Sequence, residues 1–175
     1  IIEFRKKYFE ELKNLSSSNL FVTDKMPQNF RYIGLILAAF PEAKILHIKR
    51  DPAAVCWANY KQWFRSKELS YSYSISDVIK YYKLYESMMQ FWNKSFKNFI
   101  YEISYEKLTN NPIDITKNLI NYLDLDWEEK CLYPERNKRS VSTASNIQIR
   151  KKIYKGSSEK WKKYRPFLNN IFDNI

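Results

Sequence analysis

Two cations in this 175-residue chain stand where an anion could be held. Arg50 follows the short apolar run Ile45-Leu46-His47-Ile48 and precedes Asp51-Pro52, within KILHIKRDPAAVCWANY, the stretch Lys44–Tyr60. Lys25 follows Leu20–Thr23 in the same way, within DKMP. In open α/β sheets ligands bind beyond the carboxyl ends of strands, beside helix N-termini whose backbone N–H groups favour anions. A guanidinium at such a place suits a phosphate, and a salt bridge from Arg50 to a nearby carboxylate is the alternative for the same pattern. Other chemistries find less material. His47, the single histidine, lies inside the apolar run and reads as a hydrogen-bonded core imidazole rather than a base. Cys56 and Cys131 lack the spacing of a disulfide framework or a metal site, read as buried thiols of a reducing compartment, and no metal is expected. Gly34 and Gly156 are the only glycines, so this chain contains no glycine-rich phosphate loop.

The elements that would position these cations follow from hydrophobic period and punctuation. Residues 45–48, bounded by Pro41 and Pro52, predict a buried strand, and Asp51-Pro52 an N-cap followed by proline at the first helical position of a helix over 53–60. Upstream, Ile1, Phe4, Tyr8, Leu12 and Leu15 recur at helical spacing. Leu20–Thr23 predict a short strand, and Asn29 can cap a helix running to Phe40. Strand, helix, strand, helix is the order of a parallel sheet with right-handed crossovers, so Lys25 and Arg50 are expected at neighbouring strand ends, able to face one anion together.

Downstream, 63–72 read as an exposed loop. Ser74 and Asp77 fit a capping box for a long helix to about Phe96, whose stripe Val78, Tyr81, Tyr82, Tyr85, Met89, Trp92 and Phe96 has the period of a core face. Phe99–Ile103 alternate as a strand, Ser104–Leu108 turn, and helices are expected over 112–123 and 126–132. From Arg139 to Gly156 the chain is loop-like, rich in hydroxyl and basic residues, and by charge alone a solvated surface. A last helix is expected over 158–171, bent or ended by Pro166.

The size fits one domain, 1–175, and the 45% hydrophobic and 17% aromatic content argues against disorder. No apolar run reaches membrane-span length. The net charge of +11 points to an anionic partner. Because the sequence opens on Ile1, it reads as a fragment or excised domain.

Taken in order, DKMPQNF, the strand ending in KRDP, YSYSISD, ISYEKL, STASNIQIRKKIY and SSEKWKKY resemble the sulfotransferase superfamily over nearly the whole chain. The resemblance is nearest to bacterial sulfotransferase domains joined to tetratricopeptide repeats, and more distant to protein-tyrosine sulfotransferases. It implies an α/β, P-loop-like three-layer fold with a central parallel sheet flanked by helices, of which this chain, the carboxyl-terminal portion, lacks the N-terminal strand–loop–helix. It implies transfer of a sulfuryl group from the co-substrate 3′-phosphoadenosine 5′-phosphosulfate to a hydroxyl or amine. The acceptor, a small molecule, a glycan or a protein tyrosine, is not readable from these residues. A bacterial, cytoplasmic location goes with the resemblance.

Carried over by position, the resemblance gives Arg50 the 3′-phosphate and Lys25 the bridging and transferring oxygens. Tyr105 matches a nucleotide-contacting tyrosine, with a plain core residue as its alternative. Ser145 matches a serine at the phosphosulfate end, or else caps a local turn. Lys160 matches a basic residue on the nucleotide phosphates, or else is a solvated lysine. Ile147, Gln148, Ile149, Arg150 and Tyr154 belong to a loop over the adenosine. Two departures stand out. Ala58 occupies the place of a serine that assists at the 3′-phosphate, where Asn59 could substitute, and the loop that wraps the 5′-phosphosulfate is missing. The isolated chain is therefore expected to bind the nucleotide weakly without turnover.

Two other readings compete. A basic nucleic-acid module would need its aromatic residues on an exposed basic face, whereas the tyrosine stripe has a core period. A P-loop kinase remnant is disfavoured by the RDP strand end and the 148–154 loop, again through resemblance.

Overall fold

The structure, a computed structural model, describes residues 1–15, 21–137 and 150–175. It is of the α/β class and mostly helical. Among the described residues two strands, β1 (Ile45–Lys49) and β2 (Ile100–Ser104), are neighbours in one parallel sheet. The helices are α1 (Ile2–Leu15), α2 (Ile33–Ala39), α3 (Pro52–Lys61), α4 (Ile75–Ser95), α5 (Tyr105–Asn110) and α6 (Pro112–Tyr122). The chain between β1 and β2 contains α3 and α4, the long helical crossover that a parallel pair requires. The residues gather into two compact units, Ile1–Ile45 with Tyr81–Tyr101 and Leu46–Lys80 with Glu102–Ile175.

In the first unit Ile33, Leu37 and Met89 are buried together, with Tyr85, Trp92 and Phe96 packed against them. The stripe expected on α4 is thus a core face. Trp92 brings a polar edge into this core and satisfies it by donating from Nε1 to the Phe30 carbonyl at 2.7 Å. Gly34 is needed for close approach, because a Cβ there would lie 3.0 Å from the Trp92 ring. The end of α2 leaves carbonyls without helical partners, and Arg5 on α1 supplies one, donating to the Ala39 carbonyl at 2.7 Å while pairing with Glu42. Phe4, Tyr8 and Phe9 pack their rings against Phe40.

In the second unit α3 begins as its residues dictate. Pro52 is the first helical residue, and the Asp51 carboxylate accepts from the Ala54 N–H at 2.7 Å. Cys56 is fully buried, which pushes its thiol up to about 12, whereas Cys131 is only half-buried. The segment expected as an exposed loop contains a 3-10 helix, Lys67–Tyr73, with Ser72 fully buried, while Trp63 stacks on Tyr73 and stays 73% exposed. At the start of α4, Ser74 accepts from the Asp77 N–H as the capping box requires.

Several expectations do not hold. No strand covers residues 21–23, where Phe21 and Val22 are exposed, and Leu20 lies outside the described residues. A strand needs a ladder partner, and among the described residues β1 and β2 pair only with each other. β1 is not covered on both faces, since Leu46 and Ile48 are 39% and 57% exposed, alternating with half-buried Ile45 and His47. The helix expected from Asn29 to Phe40 divides into a 3-10 helix, Pro27–Tyr32, and α2. The short helix expected over 126–132 is a 3-10 turn, Glu129–Leu132. The last helix is replaced by 3-10 turns at Ser157–Glu159 and Lys162–Phe167. Pro166, which removes an N–H and crowds the preceding turn, sits inside the second of them.

Candidate anion-binding site

Arg50 and Tyr105 occupy equivalent places on the two neighbouring strands. Each lies where the chain leaves the carboxyl end of a strand and enters a helix. Arg50 is the residue between β1 and the Asp51 cap of α3. Tyr105 is the first residue of α5, whose cap Ser104 ends β2 and accepts from the Lys107 N–H at 3.2 Å. Because the strands are parallel and adjacent, these turns fall side by side. The Arg50 guanidinium carbon lies over the Tyr105 ring, 4.8 Å from its centroid.

A third segment closes on this pair. Gly156 takes a left-handed φ of 78°, a conformation favoured by glycine, and turns the chain into Ser157 and Ser158, both buried. Arg50 Nε donates to Ser158 Oγ at 3.1 Å and an Arg50 Nη2 group to Ser157 Oγ at 3.4 Å. Tyr105 and Ser157 share a hydroxyl–hydroxyl bond of 2.7 Å. Behind these hydroxyls lies Glu106. Its Oε1 accepts from Ser158 Oγ at 2.6 Å and from the Asp51 backbone N–H at 3.0 Å, and its Oε2 from Ser104 Oγ at 3.4 Å. Partial burial works to raise the Glu106 carboxyl, but the bonds from Ser158 and the Asp51 N–H outweigh it and hold the group below its ordinary 4.5.

Arg50 has no carboxylate within ion-pair distance among the described residues, so the salt-bridge alternative for this side chain is not realised there. Two of its five N–H donors meet serine oxygens, and the remainder, including Nη1, meet no acceptor among the described residues. A half-buried, fixed guanidinium with an open edge is the chemistry of an oxyanion grip, and these residues fit a terminal phosphate. The start of α3 is largely engaged: the cap's own N–H bonds to the Glu106 carboxylate, Pro52 carries none, and the Ala54 N–H bonds to the Asp51 carboxylate.

The other residues singled out from sequence fall in different places. Asn59 donates from Nδ2 to the Val55 carbonyl at 3.1 Å, one turn back on its own helix, and Ala58 is exposed. Lys160 is exposed and sets its ammonium over the Tyr154 ring at 4.7 Å, joining two of the expected residues. Arg150 is exposed. Lys25 lies on an exposed stretch of the first unit without regular structure, next to Asp24, whose carboxylate accepts from the Tyr8 hydroxyl at 2.8 Å and from Asn29 at 3.3 Å. Ser145, Ile147, Gln148 and Ile149 lie outside the described residues. His47 is mostly buried in β1, with Nδ1 3.5 Å from the Glu102 carboxylate. Ser157, Ser158 and Glu106 escaped the sequence reading. Their signals were a glycine followed by two short hydroxyl residues in a basic stretch, and a carboxylate beside the strand-end tyrosine.

The chain matches the sulfotransferase family over residues 2–129. It is 35% identical over 168 residues to an uncharacterized protein of Aquifex aeolicus (strain VF5), a match that covers 95% of this chain and 22% of that protein. The chain thus spans about a fifth of the length of this relative. Its fold is similar to the sulfotransferase domain from the curacin biosynthetic pathway, with a TM-score of 0.64 and 16% identity, covering 90% of this chain and 60% of that domain. With a family match over most of its residues, a strand-end arginine held open and a fold shared with a sulfotransferase domain, the chain belongs to the sulfotransferase family.

Proposed function

We propose that this chain is the nucleotide-gripping part of a sulfotransferase that uses 3′-phosphoadenosine 5′-phosphosulfate. The observation that carries the reading is Arg50, fixed by two serines and a tyrosine ring with no carboxylate partner among the described residues. When bound, the nucleotide supplies an activated sulfuryl group. Arg50 holds the 3′-phosphate through charge-assisted bonds from its open edge, and Tyr105 and Ser157 keep that edge oriented. Lys25 is the second cation of the reading. A lysine is a movable point charge, suited to an oxygen on which negative charge grows as a group departs. Ser145, the 147–150 segment with Tyr154, and Lys160 extend the grip along the nucleotide, and Asn59 on α3 substitutes for the serine whose place Ala58 takes. The acceptor is a hydroxyl or amine of a small molecule, a glycan or a protein tyrosine, and the setting a bacterial cytoplasm. No described helix is long and apolar enough to cross a membrane.

Gly34 and Gly156 are the only glycines of the 175-residue sequence, so it carries no glycine-rich loop of the kind that wraps a 5′-phosphosulfate with backbone N–H groups. By itself it binds the nucleotide weakly and does not turn over. Calorimetric titration tests the function class. Saturable binding of adenosine 3′,5′-bisphosphate is expected. Binding of single-stranded oligonucleotides that falls steeply with salt, with no preference for the 3′-phosphorylated nucleotide, would overturn the reading in favour of a nucleic-acid module.

A further inference from the structure

A fixed arginine raises the question of what fixes it without neutralising it. A carboxylate bonded directly to the guanidinium would order it and also occupy the fork that an anionic ligand needs. Here the carboxylate is one atom removed. The Ser158 hydroxyl donates to Glu106 Oε1 at 2.6 Å, and the same Ser158 oxygen, its proton so directed, presents a lone pair to Arg50 Nε at 3.1 Å. Ser158 is buried, 5% exposed, so its single proton is largely shielded from solvent. Glu106 is anchored in turn by the Asp51 N–H at 3.0 Å, at the junction that carries Arg50 into α3.

We propose that Glu106 is a positioning residue: through Ser158 its carboxylate orients the Arg50 guanidinium by the Nε edge and leaves the Nη1 side available to an oxyanion. Only the ligand identity rests on the nucleotide reading; the relay does not. The relay makes the negative charge useful. An ionised Glu106 accepts from Ser158 and never donates, so Ser158 is locked as an acceptor toward Arg50. A glutamate acting solely as a helix cap for Asp51 would have no such effect on Arg50.

The test reads Arg50 directly. Hydrogen exchange of the Arg50 Nε–H is followed by ¹H–¹⁵N NMR in the wild type and in Ser158→Ala, Glu106→Ala and Glu106→Gln, with thermal unfolding alongside. Ser158→Ala and Glu106→Ala are each expected to accelerate that exchange on the order of tenfold, the double variant no further, and Glu106→Gln to recover part of the protection through its remaining acceptor oxygen. If Glu106→Ala does not fold, Ser158→Ala and Glu106→Gln carry the comparison. Unchanged Arg50 exchange in folded Glu106 variants, with only the melting temperature lowered, would overturn the proposal and leave a cap. In a second arm, Glu106→Ala or Glu106→Gln weakens adenosine 3′,5′-bisphosphate and leaves adenosine 5′-phosphate unaffected; equal weakening of both counts against the relay. A wild type that binds neither nucleotide overturns the functional reading and leaves the exchange result to decide the relay.

Discussion

Replacing Tyr105 by phenylalanine and by alanine separates two ways in which the tyrosine supports Arg50. Phenylalanine keeps the ring under the guanidinium, now 4.8 Å from the centroid, and removes only the hydroxyl bonded to Ser157 Oγ at 2.7 Å. A single neutral hydrogen bond of this kind contributes about 0.5–1.5 kcal/mol. Ser157 retains its contact from Arg50 Nη2 at 3.4 Å, so its buried oxygen is not orphaned and the cost belongs in the lower half of that range. Alanine also removes the cation–π contact and the packing of a half-buried ring, at least about 1 kcal/mol beyond phenylalanine. Urea unfolding of the ligand-free chain measures both variants. For a chain of this size, each 1 kcal/mol also lowers the melting temperature by roughly 2–4 °C. The expected order is wild type, then phenylalanine, then alanine, with the larger step second. Phenylalanine costing as much as alanine, or alanine indistinguishable from wild type, would refute the argument that the ring supports the guanidinium more than the hydroxyl does.

Other consequences follow from single contacts. Gly34→Ala improves helix propensity by up to ~1 kcal/mol but drives a Cβ to 3.0 Å from a Trp92 ring that its bond to Phe30 holds in place; overpacking at ~1–3 kcal/mol wins, and thermal unfolding shows a lower midpoint, not a higher one. Asp51→Ala removes the acceptor of the Ala54 N–H and costs about 0.5–2 kcal/mol by urea unfolding, an estimate that fails if the midpoint is unmoved. His47 gives a pH signature. Its burial lowers its pKa below the ordinary 6.5, aided by Lys49 and opposed by the Glu102 carboxylate. The unfolded chain therefore binds this proton more readily than the folded one. The contribution is complete above pH 6.5 and declines as pH falls through the lowered folded value. His47 is the single histidine, so His47→Gln should flatten the decline seen in wild type just below pH 6.5, and an unchanged slope would count against the assignment.

What could be read from the sequence was set by local rules. Asp51-Pro52, the stripe of α4 and the Ser74–Asp77 box are satisfied within a few residues, and each stands in the structure close to its expected place. Elements that depend on distant partners were misread. Residues 21–23 have strand composition, but composition does not supply a ladder, and they are exposed. The Trp161–Ile171 spacing suggested a helix, yet Pro166 breaks the bonding pattern that such a helix needs. The site divides the same way. Arg50 stood out because it follows a strand and precedes a helix cap, whereas Tyr105 was singled out only through the family resemblance. Ser157, Ser158 and Glu106 were not legible, because their meaning lies in bonds between residues 52 to 108 positions apart, and alone they look like capping or surface groups.

The central claim, that Arg50 grips a 3′-phosphate, is tested most directly by a two-by-two titration: adenosine 3′,5′-bisphosphate and adenosine 5′-phosphate against wild type and Arg50→Ala. Loss of charge-assisted contacts to a half-buried arginine amounts to about 2–5 kcal/mol, or roughly 30-fold to several thousand-fold in affinity. The wild type should prefer the bisphosphate by such a factor, and Arg50→Ala should lose the preference while binding the monophosphate as before. A preference that survives in Arg50→Ala, or that is absent from the wild type, would contradict the account.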